Sequence, residues 1–412
     1  MDRLVPLTLS LPGCGAAPVP TAVKHGERLY LSGANAAQPD GSVKGLGDAA
    51  AQTHAALDYL EAALKAAGGS LDNLTKLTTC IVDRGYRTEV YRVITERVPN
   101  ARPVSTGLVV AGLGRPELIV QIDAEAAIPQ VPAVYTRAYT FDNWHGQGFP
   151  WTGSMVVKTD NEFFVRGQTG SGLDHSQSPD TGRSVADSAA QADIAMKNLA
   201  TLLAEAGAAM DDVCKMTVYI SDRAYRAGVY PMIGKHFGDV RPVSTGIVTT
   251  AFARPEILFE IDVVVIPKQG GKPHERLRPY HSSNARYGTQ AQGLDSKLCM
   301  AVVAGDRVIL RGQTGMGLDH VLHGAGDATA QAEKAMDNVE LLLADAGATL
   351  ADVAKATVFV TESDFLPAVN AAVLKRFGAN PPAFATMVVK GLASPELLME
   401  VDIVAIKGQG TR

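Results

Sequence analysis

The sequence predicts an α+β fold made of three tandem copies of one unit, each about 135 to 140 residues long. A proline-containing strand motif begins at Arg102, Arg241 and Pro381, with offsets of 139 and 140 residues. A β-branched strand that starts with lysine recurs in the same register, at Lys76, Lys215 and Lys355. An Ala-rich helix recurs as well, over 52–68, 191–207 and 331–347. Because three markers share one register, the repeat determines the fold.

Each copy predicts the same elements in the same order. A strand that ends in glycine comes first, for example FFVRGQTG, and the long helix follows, with apolar residues at three- and four-residue spacing and a glycine at its end. The β-branched strand is next, such as KMTVYISD, and then a shorter helix. Two strands with period-2 alternation, such as PVSTGIVTTAF and PEILFEIDVVVIP, complete the unit.

Two Pro- and Gly-rich segments, near residues 130 and 268, predict the domain boundaries. The predicted copies are therefore residues 1–130, 131–270 and 271–412, named copy 1, copy 2 and copy 3 below. Each copy has an apolar sheet face that it cannot bury alone, so we expect the three to pack about a pseudo-threefold axis within one chain. A dimer of such pseudo-trimers is compatible with the sequence.

Composition excludes several classes of function. The net charge is −5 and no basic cluster is dense, which argues against a nucleic-acid partner. No run of 18 apolar residues is present, and the amino terminus lacks the apolar core of a secretory signal, so neither membrane insertion nor secretion is expected. The four cysteines are far apart and form no C-x-x-C pair, which fits a reducing cytoplasm.

The repeated unit resembles the Rid (YjgF, reactive-intermediate deaminase) superfamily, and the resemblance covers nearly the whole chain. It rests on the strand with Ser-Gly, the Gln-containing helix and the Lys-Thr-Thr strand of LYLSGANAAQPDGSVKGLGDAAAQTHAALDYLEAALKAAGGSLDNLTKLTTCIVD. It rests also on a pattern near the end of each copy. There a proline and a small residue begin one strand, and the tripeptide x-P-E precedes a second strand that carries a glutamate or an aspartate. The resemblance implies chorismate-mutase-like domains, a single-chain pseudo-trimer with a central β-barrel and outer helices, and pockets between neighbouring copies.

The resemblance also implies an activity, the hydrolysis of reactive enamines and imines without a metal or organic cofactor. In the family a glutamate helps to place a water molecule, and this residue maps to Glu260 and Glu400 but to Gln121 in copy 1. Alternatively, both glutamates belong to a solvated face or to an ion pair between copies. The arginine that binds the substrate carboxylate is replaced by Ser105, Ser244 and Phe384.

A second arginine position offers a replacement. The small residue before the strand glycine is Ser32 in copy 1 but Arg166 and Arg311 in copies 2 and 3, and it normally lines the same pocket. We expect these guanidiniums to bind a carboxylate from the opposite strand. The adjoining polar residues are further candidates for substrate binding, namely Gln168, Thr169, Gln313 and Thr314. A Gly-rich hairpin with no ligand is the alternative.

Other candidates for substrate binding are polar residues at matching positions of the copies. Ser244 and Thr245 stand where the family arginine is missing, and backbone-satisfied hydroxyls are the alternative. Tyr230 and Asn370 share a position on the short helix that faces the family pocket. His175 and His320 end the segments RGQTGSGLDH and RGQTGMGLDH and are either acid–base groups or surface turn residues. No histidine spacing suits a metal, so no metal site is expected.

The leading hypothesis is a cofactor-free hydrolase that acts on the C–N bond of a small polar metabolite with imine, enamine or amide-like character. Glu260 or Glu400 would place the water, and Arg166 or Arg311 would bind an anionic group. A non-catalytic ligand-binding or regulatory protein is the alternative, and lyase or isomerase chemistry on the same fold is a third possibility. Any pocket that draws its key groups from copy 1 is expected to be inert or differently selective.

Overall fold

The fold is given by a computed structural model of the full chain. It describes residues 1–4, 19–20, 22–128, 134–136, 139–141, 151–160, 162–173, 183–281, 286–287, 290–291, 294 and 296–408. Each copy contributes a long helix and a short helix, as the periodicity predicts. The helices are α1 (Ala49–Ala66), α2 (Arg87–Arg97), α3 (Val185–Ala206), α4 (Arg226–Phe237), α5 (Ala328–Asp345) and α6 (Leu366–Phe377).

The strands repeat from copy to copy. Those of copy 1 are β1 (Asp2–Leu4), β2 (Ala22–His25), β3 (Arg28–Ala34), β4 (Leu74–Ile81), β5 (Val104–Val109), β6 (Gly112–Leu113) and β7 (Val120–Ala127). Those of copy 2 are β8 (Val134–Thr136), β9 (Tyr139–Phe141), β10 (Trp151–Gly153), β11 (Val156–Lys158), β12 (Phe163–Val165), β13 (Gln168–Thr169), β14 (Val213–Ile220), β15 (Val243–Val248) and β16 (Phe259–Val265).

Copy 3 has the same core strands and a longer lead-in. Its strands are β17 (Glu275–Leu277), β18 (Tyr280–His281), β19 (Arg286–Tyr287), β20 (Gln290–Ala291), β21 (Lys297–Leu298), β22 (Ala301–Ala304), β23 (Arg307–Leu310), β24 (Gln313–Thr314), β25 (Val353–Val360), β26 (Ala383–Val388) and β27 (Met399–Ile406). The α+β class and the three tandem units predicted from the sequence are therefore confirmed.

The three main sheets share one strand order. It is β1-β2-β3-β7-β4-β5 in copy 1, β8-β11-β12-β16-β14-β15 in copy 2 and β17-β22-β23-β27-β25-β26 in copy 3. One pair in each sheet is parallel, β4 with β5 and its two equivalents, because the short helix connects these strands by a crossover. One face of each sheet packs against its helices, and the other faces the pseudo-threefold axis.

A buried glutamine near the start of each long helix fixes the last strand of its copy. In copy 2, Gln191 donates to the carbonyl of Glu256 at 2.8 Å and accepts from the amide of Leu258 at 2.9 Å. Gln52 and Gln331 make the same two bonds in the other copies. Because both backbone groups precede the last strand, the glutamine sets where that strand begins and so where its side chains point.

The copies are joined in a cyclic order. Val109 of copy 1 bridges Ala251 of copy 2, and Val248 of copy 2 bridges Gly391 of copy 3. The equivalent contact of copy 3 with copy 1 is the pairing of β26 with β6. The heterologous interface therefore recurs three times and closes on itself, which is the geometry of a ring. The central barrel implied by the resemblance takes the form of three sheets joined at these contacts.

Three ion pairs cross the interfaces near the axis. Lys76 of copy 1 pairs with Asp262 of copy 2, and Lys215 of copy 2 lies 2.8 Å from Asp402 of copy 3. Lys355 of copy 3 completes the set with Asp123 of copy 1 at 3.7 Å. These residues line a central cavity of about 120 Å³.

A buried triad lies at one end of the axis, where the three equivalent hairpins meet. Glu162 of copy 2 forms ion pairs with Arg28 of copy 1 and with Arg307 of copy 3, each at 2.9 Å. Arg28, Glu162 and Arg307 occupy the same position in their respective copies, beside or at the start of a strand. A single chain can place two arginines and one glutamate at equivalent positions, whereas three identical subunits cannot.

Glu162→Met should lower the free energy of unfolding by about 3–5 kcal/mol, because it leaves two buried guanidiniums without their carboxylate. The triple replacement of Arg28, Glu162 and Arg307 by Met should recover most of that loss, since no buried charge then remains. Urea denaturation measures both. Asp337→Asn, at an exposed ion pair with Arg376, is the control and should change the free energy by less than about 1 kcal/mol. A Glu162→Met protein as stable as its parent would contradict the prediction.

Candidate functional site

A pocket lies between copy 1 and copy 2, beside the ring of ion pairs. We call it the 1/2 pocket. It encloses a cavity of about 110 Å³. The lining residues come from α2 and β5 of copy 1 and from the β12–β13 segment, the segment before β16 and β16 itself in copy 2. They are Arg87, Tyr91, Ser105, Gly107, Met155, Arg166, Gly167, Gln168, Thr169, Ser171, Gly172, Leu173, Ala253, Arg254, Ile257 and Glu260.

The carboxyl of Glu260 lies against the backbone of Gly167. A Cβ at Gly167 would come within 2.1 Å of Glu260 Oε1 and 2.9 Å of Thr106 Oγ1, so only glycine leaves room for the acid. Gly312 has the same relation to Glu400, with a distance of 1.9 Å, and to Thr245 of copy 2. The strand glycine of the predicted motif therefore serves to admit the glutamate.

Burial raises the pKa of Glu260 to about 8, and repulsion from Asp262 adds to this effect. Arg166, Arg87 and Lys76 oppose the shift. Glu400 behaves in the same way: burial and Asp402 raise its pKa to about 8, against Arg311, Lys215 and Arg226. Both carboxyls are thus largely protonated at neutral pH, and each can donate a proton.

Arginines approach the glutamate from both sides of the interface. Arg166 of copy 2, expected from the sequence, lines the 1/2 pocket and is half-buried. Arg87 of copy 1 lies at the start of α2, with its guanidinium carbon 4.8 Å from the centre of the Tyr91 ring. Arg226 repeats this arrangement in copy 2, at 4.6 Å from Tyr230. Neither Arg87 nor Arg226 was among the site residues predicted from the sequence.

The hydroxyl groups predicted to replace the missing family arginine lie on the same side as these helix arginines. Ser244 Oγ is 3.5 Å from the hydroxyl of Tyr230, which also lies 3.5 Å from Arg226 Nη1. Ser105 and Tyr91 form the matching pair in the 1/2 pocket at 3.4 Å. Arginines from the neighbouring helix therefore enter the space beside the serines.

The remaining polar candidates stabilise the motif itself. Gln168 and Gln313 each donate to the carbonyl of the preceding arginine, at 2.6 and 2.7 Å. Thr169 and Thr314 accept from the amide two residues on, at 3.3 and 3.1 Å. Gln168 and Thr169 also line the cavity. Thr245 of copy 2 donates to Asp402 of copy 3, the aspartate that also pairs with Lys215.

The two histidines and the asparagine lie in different surroundings. His175 is outside the described residues. His320 is an exposed turn residue with φ +66°, and its amide donates to the carbonyl of Gly317 at 2.9 Å. Asn370 is fully buried on α6 of copy 3.

We name the groups at the equivalent positions of the other two interfaces the 2/3 pocket and the 3/1 pocket. At the 2/3 pocket, the amide of Gly312 in copy 3 donates to the carbonyl of Ser244 in copy 2 at 3.4 Å. This bond brings the strand of copy 3 that precedes Gly312 next to the strand of copy 2 that contains Ser244. At the 3/1 pocket, by contrast, the amide of Gly33 binds Asp123, and a Cβ there would lie 2.8 Å from the carbonyl of Phe384. The matching residues there are uncharged: Leu366, Asn370, Phe384, Ser32 and Gln121.

Whether a pocket contains charged groups therefore depends on which two copies form it, and not on one copy alone. Copy 1 contributes Arg87 to a charged pocket and also Ser32 and Gln121 to an uncharged one. The expectation that a pocket drawing its key groups from copy 1 is inert or differently selective applies to the 3/1 pocket, where Ser32 and Gln121 lie, and stays a prediction. The signal was in the sequence: the helix position is arginine in copies 1 and 2, whereas the strand positions are charged in copies 2 and 3.

A family model described as Endoribonuclease L-PSP matches the chain three times, over residues 15–128, 151–267 and 295–407. The chain belongs to this family. The resemblance to the Rid superfamily is thereby confirmed, with three L-PSP units in tandem. Among the described residues, no helix is both long and apolar enough to cross a membrane. Nor does this part of the chain bring together three His, Cys, Asp or Glu side chains that could hold a metal ion.

Single L-PSP units are similar to curated relatives. A RutC family protein of Pyrococcus abyssi is 30% identical over 112 residues, which is 27% of this chain and 83% of the relative. The 3-aminoacrylate deaminase RutC of Acinetobacter baylyi is 31% identical over 112 residues, 27% of this chain and 88% of the relative. A crystal structure of a chorismatase covers 81% of this chain and 93% of its own, with a TM-score of 0.55 and 16% identity, and so shows a shared fold.

Replacing Glu260 and Glu400 by Gln should stabilise this L-PSP protein, and more so at higher pH. The folded-state pKa is raised, so the native state holds protons that the unfolded state has lost between about pH 4.5 and 8. The stability of the parent therefore falls across that window and levels off above it. The melting temperature of the Gln variant relative to the parent should rise from pH 5 to pH 8.

Glu362→Gln, at an exposed position, is the matched control and should give the same difference at both pH values. A constant difference for the pocket variant as well would show that the two carboxyls are ionised at no cost in the folded protein.

Proposed function

We propose that the chain is a hydrolase that cleaves the C–N bond of small imines or enamines bearing a carboxylate, in the 1/2 and 2/3 pockets. The observation that carries this proposal is the pair of buried glutamates with pKa near 8, each flanked by arginines from two copies. Membership of the family and its deaminase relative support the reaction class.

The arginines would bind the substrate carboxylate. Arg166 and Arg87 line the 1/2 pocket from different copies, and Arg311 and Arg226, also from different copies, both act on Glu400. A guanidinium offers two parallel N–H groups to a carboxylate, which fixes its plane as well as its position. The reacting carbon is then placed beside the glutamate, and chemistry proceeds in a site with little water.

The protonated glutamate would act first as an acid. It donates its proton to the enamine carbon, which leaves an iminium ion and a carboxylate. Water then adds to the iminium carbon, and the carboxylate takes a proton from that water. The hydroxyl proton of the resulting carbinolamine passes to nitrogen, the C–N bond breaks, and a carbonyl compound and ammonia are released. An imine substrate would take the glutamate proton on its nitrogen, which gives the same iminium ion and carboxylate before water adds.

A non-catalytic binding protein is the alternative, and the loss of the family arginine at Ser105 and Ser244 favours it. The two functions differ in turnover and not in ligand affinity. The distinguishing assay is ammonia release from 3-aminoacrylate, the compound named for the Acinetobacter baylyi relative, and from other small enamine carboxylates.

Glu260→Gln with Glu400→Gln should lower kcat by about 10²- to 10⁴-fold, because an amide cannot donate or accept the proton. The rate of the parent should be constant below about pH 7 and decline above pH 8, where the acid is ionised. Gln121→Met, at the uncharged 3/1 pocket, is the control and should leave kcat unchanged. Unaltered turnover in the double Gln variant would remove these residues from the mechanism.

Arg166→Ser with Arg311→Ser should raise KM by roughly 10- to 150-fold, the cost of a charge-assisted hydrogen bond of about 1.5–3 kcal/mol. Arg115→Ser serves as the control, because Arg115 is an arginine paired with Glu117 away from the charged pockets. If the double variant melts much earlier and keeps its KM, the two arginines act in stabilising the interface and do not bind substrate.

A further inference from the structure

The two charged pockets differ in the number of their arginines. Arg254, in the segment before β16, lines the 1/2 pocket together with Arg87 and Arg166. The equivalent residue of copy 3, beside the 2/3 pocket, is Ser394. The 1/2 pocket thus has three guanidiniums, whereas the 2/3 pocket has an equivalent of only two of them, Arg226 and Arg311.

Arg254 is oriented by two partners. Its Nε lies 3.0 Å from Glu256 Oε1, and its Nη2 donates to Ser171 Oγ at 2.8 Å. Ser171 is itself a lining residue, so this bond draws the guanidinium towards the cavity. These two bonds use two of the five N–H donors of arginine. Copy 3 has Met316 where copy 2 has Ser171, and the hydroxyl of Ser394 instead bonds Glu396.

Arginines outnumber acidic side chains among the lining residues of the 1/2 pocket, although Arg254 also pairs with Glu256. Glu260 is the one acidic residue among its described lining residues, and burial keeps it largely uncharged at neutral pH. Burial lowers the pKa of Arg87, and repulsion from Arg166 and Arg254 acts in the same direction. Arg87 therefore lies close enough to Arg166 and to Arg254 to be repelled by both, which a ligand with more than one negative charge would relieve.

We propose that Arg254 determines specificity: the 1/2 pocket takes a dicarboxylic substrate, and the 2/3 pocket takes a monocarboxylic one. This inference rests on the proposed function, since it assigns a substrate class to each of the two pockets. One carboxylate binds between Arg87 and Arg166, as in the equivalent pocket, and the second binds Arg254. The two pockets of one chain then accept different members of one chemical class.

Equilibrium binding of succinate and propionate, measured by calorimetry, tests the proposal without any turnover. Arg311→Ser leaves the 1/2 pocket as the binding site, and Arg166→Ser leaves the 2/3 pocket. The 1/2 pocket should bind succinate at least about tenfold more tightly than propionate, and the 2/3 pocket should bind the two within about threefold. Ammonia release is measured separately and tests the proposed function. A chain that releases no ammonia can still bind succinate and propionate with the affinities expected here.

Arg254→Ser in the Arg311→Ser chain should lower succinate affinity by roughly 10- to 150-fold and change propionate affinity by less than about threefold. Serine is the natural residue at the equivalent position, so the fold tolerates it. The reciprocal change, Ser394→Arg with Met316→Ser in the Arg166→Ser chain, should raise succinate affinity about tenfold or more. Equal losses for both acids, no loss for succinate, or no binding of either acid at millimolar concentration would each overturn the proposal.

Discussion

The rest of the structure depends on the interface between one copy and the next, where a lysine of the first pairs with an aspartate of the second. Lys76 with Asp262, Lys215 with Asp402 and Lys355 with Asp123 repeat this contact in cyclic order. Each aspartate lies two residues after the pocket acid or its amide counterpart on the same strand. The contact that closes the ring therefore also sets the position of the candidate site.

The same proximity shapes the electrostatics of the pocket. Asp262 is held near the axis by Lys76 and Thr106, and its charge raises the pKa of Glu260. The arginines that would bind substrate lie beyond the glutamate and oppose this shift. Burial between these groups keeps the acid protonated and lowers the stability of the fold at higher pH. A raised pKa of this kind is common among catalytic carboxyls.

Fusing three units into one chain permits what three identical subunits cannot. At the axis, two arginines and a glutamate occupy one equivalent position, and their pairing fits a single arrangement of the copies. At the interfaces, one pocket has lost its charges, and the remaining two differ at Arg254 and Ser394. Closed rings of identical chains repeat every pocket, whereas here each interface can diverge separately.

The sequence determined the repeat, the order of elements and the pocket glutamates, because register and periodicity are local properties of the chain. It also indicated Arg166 and Arg311, which adjoin the strand glycine. It did not indicate Arg87 or Arg226, because these residues reach the pockets from the short helix of a neighbouring copy. Nor did it indicate Arg254, whose guanidinium bonds to Ser171, 83 residues away in sequence. Which copy faces which, and therefore which interface combines arginine with glutamate, follows from contacts between sheets that only the tertiary structure brings together.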